Sequence, residues 1–367
     1  MSTVIEKILN GGFALIGEIG VNYYDIAQKE KISPMDAAVK MIDEGKRAGL
    51  HAVKFQTYKA ETLASKNSPS YWDLSEESST SQYGLFKKFD SFGEPEYKIL
   101  SAHCQKTGIE FLSTPFDFHS ADYLDSLMDI YKISSSDLTN IPFIDYQARK
   151  NKPILLSTGA ADLEEIETAV KTVRSVNNKP LVLLHCVLEY PTPKNHANLA
   201  KISSIKKHFP DVYAGYSDHT KPDDGFDVLK IAYTLGARVI EKHYTLDKSL
   251  KGNDHYHAMD TTDIKRILNE ISALQSILGT GELVYSDTEN DARKYARRSI
   301  VSRRDIAAGE IVTRGALCFK RPGTGIPPSR LEFVLNKTAG RYIAEDTILQ
   351  MDMFSERQDK IKTKGLV

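Results

Sequence analysis

Eight short apolar runs, separated by helix-length segments, constrain this chain more than any other feature. They fall at residues 13–21, 51–56, 109–113, 130–134, 153–157, 181–186, 212–216 and 237–243. Each is almost continuously apolar, the pattern of a strand buried on both faces of a parallel sheet. Apolar residues at helical spacing fill the intervals 34–48, 94–107, 119–127, 141–149, 162–176, 199–208 and 223–235. A closing helix is predicted over 261–278, with Thr261-Thr262-Asp263 as its N-cap region. Alternating βα units imply a parallel sheet, and eight of them close a barrel. The predicted fold is therefore α/β, a (β/α)8 TIM barrel. No Gly-rich GxGxxG turn follows the first run, which argues against a dinucleotide-binding fold.

A barrel of this kind needs only about 250 residues, and the chain has 367. The surplus lies in two places. Residues 58–93 are polar and aromatic, too long for an ordinary βα connection, and are predicted to cover something. Beyond the closing helix the texture changes to short β runs between Gly and Pro turns. The predicted domains are a barrel over 1–284, a charged linker over 285–297, a small mostly-β domain over 298–357 and a frayed end over 358–367. With 48 Lys+Arg against 49 Asp+Glu, the chain offers no general surface for nucleic acid or an anionic membrane. No apolar run reaches the ~18 residues of a membrane span, and the N-terminus lacks a signal-peptide pattern. Cys104, Cys186 and Cys318 are widely spaced and form no CxxC. A soluble, reduced, cytoplasmic protein is expected.

Polar residues break the apolar runs at matching places. Glu18, Lys54, Gln56, Thr114, Lys132, Ser134, Ser157, His185, Ser217, Asp218, His219, Glu241 and His243 all fall in or just after a predicted strand. Catalytic residues of such barrels sit at the C-terminal ends of the strands. His219 and His243 end neighbouring runs, each with a carboxylate one or two residues earlier, so both can turn to one metal ion. Such an ion polarises a carbonyl oxygen. Lys54 and Lys132, with Thr114, Ser135, Ser157 and Ser217, suit a phosphate plus a carboxylate. Glu18 is the carboxylate best placed to handle a proton or a water. These residue types fit carbon–carbon bond formation as well as hydrolysis or lyase chemistry.

Ordered motifs decide further. Glu18-Ile19-Gly20-Val21-Asn22, Ala52-Val53-Lys54-Phe55-Gln56-Thr57, Leu112-Ser113-Thr114-Pro115-Phe116, Tyr131-Lys132-Ile133, Ser157-Thr158-Gly159, Leu184-His185-Cys186, Tyr190-Pro191-Thr192-Pro193, Gly215-Tyr216-Ser217-Asp218-His219-Thr220 and Lys320-Arg321-Pro322-Gly323 recur in that order. Together they make the chain resemble the sialic acid synthase (N-acetylneuraminate synthase) family over nearly its whole length, with a tail similar to that family's antifreeze-like (SAF) domain. The resemblance implies condensation of phosphoenolpyruvate with N-acetylmannosamine or a related N-acyl sugar aldehyde, by a homodimer with exchanged tails. It implies a divalent metal on His219 and His243, Mn2+ with Mg2+ or Co2+ as alternatives, and Glu18 in catalysis. Lys54, Thr114, Lys132, Ser135, Ser157 and Ser217 would grip phosphoenolpyruvate. Gln56, Asp137, Tyr190, Asp254 and, from the other subunit, Arg321 would meet the sugar. The chain departs from the family pattern at Tyr23, Asp137, Leu188 and the 251–257 loop, where the additional His255 and His257 are read as simple loop polar contacts, with extra metal ligands as the alternative. Other expectations are another metal-dependent barrel aldolase or lyase, and a non-catalytic carbohydrate-binding protein.

Overall fold

The computed structural model describes residues 2–72, 74–75, 77–252 and 254–355. Eight strands form one sheet: β1 (Ala14–Gly20), β2 (Ala52–Thr57), β3 (Glu110–Pro115), β4 (Tyr131–Ile133), β5 (Ile154–Ser157), β6 (Leu181–Cys186), β7 (Tyr213–Asp218) and β8 (Val239–His243). Their order is β3-β2-β1-β8-β7-β6-β5-β4, and the paired neighbours run parallel. β3 and β4, at the ends of that order, lie against each other and close the ring. The predicted barrel is the observed one. Each strand keeps the position read from its apolar run, with ends shifted by a few residues.

Local chemistry explains the helices around it. The helix Pro34–Ala48 starts at Ser33, whose hydroxyl accepts from Asp36 N–H, has Pro in its first turn, and stops at Gly49 with φ 107°. Leu163–Val176 starts at Asp162, which forms a reciprocal cap with Glu165. The closing helix Thr261–Leu278 is capped one residue earlier than expected. Asp260 accepts from the N–H groups of Thr262 and Asp263, so the carboxylate takes the role assigned to the threonines.

Several short helices went unforeseen, among them Tyr23–Glu30 and Gln82–Lys88. A short helix, α1 (Thr3–Leu9), puts Val4, Ile5 and Ile8 into a buried cluster with Ala14, Ile16, Leu112, Leu155, Val182 and Val239. It plugs the N-terminal mouth of the barrel. Three apolar residues in one turn and a half are too short a signal to separate from a loop.

The chain divides into two compact units, with the boundary between Gly279 and Thr280. The second unit holds two antiparallel pairs: β9 (Ser299–Ser302) with β10 (Leu317–Lys320), and Thr338–Ala339 with Phe354–Ser355. Ile300, Ile306, Val312, Leu317, Val334 and Leu349 fill its core. Within the stretch read as a linker, Asn290–Tyr295 is helical, and the Lys294 carbonyl accepts from Gly323 N–H at 2.8 Å. That segment is thus fastened to the second unit. The end expected to fray, 358–367, lies outside the described residues. Among the described residues no helix is long and apolar enough to cross a membrane.

Candidate active site

Strand side chains alternate in direction, so each barrel strand sends every second residue to the interior. The lowest interior layer is apolar and seals on α1: Ala14, Ile16, Ala52, Leu112, Leu155, Val182, Leu184 and Val239. Two residues further along the same faces stand Glu18, Lys54, Thr114, Lys132, Ser157, Ser217 and Glu241. One further step brings Gln56, Ser134, Cys186, His219 and His243. All of these line a single cavity of about 420 Å³. The opposite parity faces the helices. There Asp218 and Lys242 form a buried ion pair at 2.5 Å, and His185 Nε2 lies 2.7 Å from the Ala197 carbonyl. His185 and Asp218, grouped by sequence with the site, therefore hold the fold instead.

The middle layer is ionic. Lys54 Nζ is 2.5 Å from Glu18 Oε2 and donates to Thr114 Oγ1 at 3.0 Å. Gln56 Nε2 donates to the other Glu18 oxygen at 2.9 Å. Glu241 Oε1 lies 3.4 Å from Lys132 Nζ and 3.8 Å from Lys54 Nζ, and accepts from Ser217 Oγ at 3.2 Å. The register accounts for this: Glu18 is opposite Lys54, and Ser217 opposite Glu241. Ser157 Oγ is buried in the same layer without a hydrogen-bond partner. Ser135 Oγ, on the turn after β4, accepts from Gly159 N–H at 2.9 Å.

The outer layer holds the imidazoles. His219 Nδ1 is 2.7 Å from the Val187 carbonyl, which fixes the proton there and leaves Nε2 as the lone-pair nitrogen. Its ring is 5.6 Å from that of His243 and 4.1 Å from that of Tyr190. His243 Nδ1 is 3.7 Å from Asp254 Oδ2. The segment after β2 supplies the cavity's outer wall through Tyr58, Leu63, Tyr71, Leu85, Phe86 and Phe89. Asp137 is not among the described lining residues. Its carboxylate accepts from Ser134 Oγ and Asn140 Nδ2 within its own turn. Arg321 is exposed on the second unit.

Comparison with known proteins settles the relationship. Residues 41–283 match the NeuB family and residues 297–355 the SAF domain. The N,N'-diacetyllegionaminic acid synthase of Legionella pneumophila is 36% identical over 342 residues, covering 91% of this chain and 92% of that protein. The chain belongs to the NeuB family. An uncharacterised protein of Methanocaldococcus jannaschii is 37% identical over 319 residues, covering 87% of this chain and 90% of that one. Among solved structures, the N-acetylneuraminic acid synthetase of Leptospira borgpetersenii in complex with citrate is similar, with TM-score 0.66 and 32% identity, over 76% of this chain and 90% of that one. At family level this NeuB chain is a phosphoenolpyruvate-dependent condensing enzyme.

The electrostatics of the NeuB cavity follow from burial against pairing. Burial pushes the Glu241 carboxyl up, but the Lys132 and Lys54 ammoniums outweigh it and hold its pKa down at about 2. Burial also pulls on Lys54, yet Glu18 and Glu241 raise it above the ordinary lysine value. Lys132 ends below that value, because burial exceeds what Glu241 returns. Burial lowers His219 and His243 to about 4, so both rings are neutral near pH 7, the form that binds metals. Asp254 is pushed up by burial to about 6.

The residues present fit a divalent metal. His243, Asp254 and His257 each offer a donor atom within 4.8 Å of the others. His243 Nδ1 and both nitrogens of His257 are buried without hydrogen-bond partners. Sequence reading placed Glu241 among the strand-end polar residues without a partner, and weighed His257 between an extra metal ligand and a simple loop contact. Glu241 was detectable, since it shares the inward parity of His243. His257 lies on a loop, where no periodicity aims a side chain.

Proposed function

We propose that this enzyme condenses phosphoenolpyruvate with an unphosphorylated N-acyl sugar aldehyde, giving a nonulosonic acid and phosphate. The observation that carries the reading is the buried ionic layer. Two lysines stand in an apolar barrel, held by two carboxylates, with the Ser157 hydroxyl unpartnered beside them. Such a set gathers charged and hydroxyl donors at one depth of the cavity, where they can serve an anionic ligand. Lys54 and Lys132 would take the phosphate and carboxylate, helped by Thr114, Ser135, Ser157 and Ser217. The methylene carbon bonds to the aldehyde carbon, whose oxygen takes up a proton. Water adds to the cationic carbon left behind, and the phosphate group departs with its bridging oxygen. Glu18, between Lys54 and Gln56, is the residue to deprotonate that water. His219 and His243 would hold a divalent cation, Mn2+ or alternatively Mg2+ or Co2+, which supplies Lewis-acid polarisation of the aldehyde.

The acceptor's chemistry follows from the outer wall. Among the described lining residues the Lys and Arg side chains are Lys54 and Lys132, both deep. The wall that would face a sugar is built from Leu63, Tyr71, Leu85, Phe86 and Leu188. It suits acyl or deoxy groups and, among the described lining residues, offers no further lysine or arginine to a second phosphate. Gln56, Tyr190 and Asp254 would meet the sugar hydroxyls. Arg321 would reach the N-acyl group from the partner in a homodimer with exchanged tails. The test is a panel of N-acyl hexosamines and their 6-phosphates with phosphoenolpyruvate, read by phosphate release and product mass. Preference for a 6-phosphate would overturn the acceptor assignment. Absence of phosphate release across the panel would overturn the reaction.

A further inference from the structure

One imidazole packed beside the cavity's histidines has no role in the scheme above. His257 is fully buried, and neither of its ring nitrogens has a hydrogen-bond partner. An imidazole buried in that way costs free energy that a phenyl ring of similar size would not. Its neighbour behaves differently. His255 Nδ1 lies 2.8 Å from Thr245 Oγ1, and Nε2 lies 3.1 Å from Asp25 Oδ2. His255 thus fastens the loop to the barrel rim at both ring nitrogens, and Asp254 just before it and His257 two residues after it form the donor cluster with His243. The His257 ring is 4.9 Å from that of His243 and 6.1 Å from that of His219. One donor atom from each of His243, Asp254 and His257 lies within 4.8 Å of the other two. His219 stands outside that group of three, and a bound ion with ligand bonds of about 2.1 Å would draw the four side chains closer together.

We propose that His257 is a ligand of the divalent cation, so that the site has three imidazoles, His219, His243 and His257, with Asp254 as the carboxylate. A nitrogen-rich set of this kind favours Mn2+, Co2+ or Zn2+ over Mg2+, which prefers oxygen ligands and keeps its waters. The inference rests on the proposed metal at His219 and His243, but its test uses metal alone, without either substrate. Metal-stripped protein is titrated with Co2+ and followed by its visible d–d absorption and by calorimetry. Wild type should bind one Co2+ tightly and Mg2+ at least tenfold more weakly, by the ligand preferences above. His257→Phe fills the space without a nitrogen. It should lose at least about tenfold in Co2+ affinity, more than an outer-sphere contact commonly accounts for, with a changed spectrum. Should that variant not fold, pulsed EPR of Mn2+-loaded wild type with 15N-labelled histidine counts the imidazoles directly. Three coordinated rings support the proposal; two overturn it, as does wild-type Co2+ affinity in His257→Phe or a wild type that takes up no metal. Metal-dependent turnover with only two rings would sink His257 and spare the functional reading. Three rings with metal-independent turnover would do the reverse.

Discussion

Replacing Lys54 with Met tests whether the ionic layer is one mutually dependent unit. The Lys54 side chain is 3% exposed and Glu18 likewise, with 2.5 Å between Nζ and Oε2. Within this layer two lysines face two carboxylates, so charge balances before any substrate arrives. Lys54→Met keeps the stem and removes the charge. Glu18 then retains Gln56 as its donor, and Glu241 retains Lys132 and Ser217. Breaking a buried pair from one side costs about 3–5 kcal/mol, because the other charge stays buried. The cavity admits water, so the lower end applies, about 3 kcal/mol. For a barrel-sized unit that lowers Tm by about 6–12 °C. Glu18→Gln in the same chain restores neutrality, and the double variant should recover at least about 1.5 kcal/mol relative to the sum of the singles. Urea unfolding of the four proteins, compared by midpoint at constant slope, measures this. Lys54→Met within about 0.5 kcal/mol of wild type, together with additivity, would refute a coupled buried layer.

Other outcomes follow from separate parts of the molecule. A chelator should abolish condensation and Mn2+ should restore it, while His219→Ala should lose metal affinity and activity together; full turnover in a metal-stripped sample would exclude the metal's role. His51 Nδ1 accepts from Leu15 N–H at 2.9 Å, and burial lowers its pKa from 6.5 to about 4. The unfolded chain therefore takes up this proton first, so stability is complete above pH 6.5 and falls by up to about 3 kcal/mol as pH drops towards 4; His51→Asn should flatten that part of a melting curve against pH. Glu18→Ala and Arg321→Ala chains, each inactive alone, should recover activity at one of two sites when co-expressed as a heterodimer. If purified heterodimers stay at the homodimer level, with Arg321→Ala confirmed inactive, the exchanged tails are abandoned.

The barrel was legible because parallel strands buried on both sides must be apolar throughout, and a charge inside one must have a reason. Glu18, Lys54, Lys132 and Glu241 were visible on that ground alone. Their pairing was not, since it depends on which strands become neighbours and in what register. β1 runs between β2 and β8, and that placement brings Glu18 opposite both Lys54 and His243. α1 escaped because a two-turn helix is stabilised by the barrel floor it packs on, not by its own sequence. The local bonding of Asp137 was equally hidden. An acid near a strand end looks like a site residue, but two local donors turn it into its own loop.

The layering explains why the chemistry sits where it does. The interior residues of one strand lie two apart, so Ile16, Glu18 and the turn beyond them occupy successive heights. The apolar floor keeps water from the N-terminal side, and the ionic layer above it stands between that floor and the imidazoles. Under the proposed reaction, an anion on Lys54 and Lys132 would lie below a cation on His219 and His243, with Tyr58, Leu63, Tyr71, Leu85, Phe86 and Phe89 walling the outer cavity. Glu18 stands in the lysine layer and, on β1, opposite His243 of the neighbouring strand. A single residue slipped in β1 would send Glu18 outward and bring Gly17 or Ile19 in. Register, more than any one side chain, is what this active site requires of the fold.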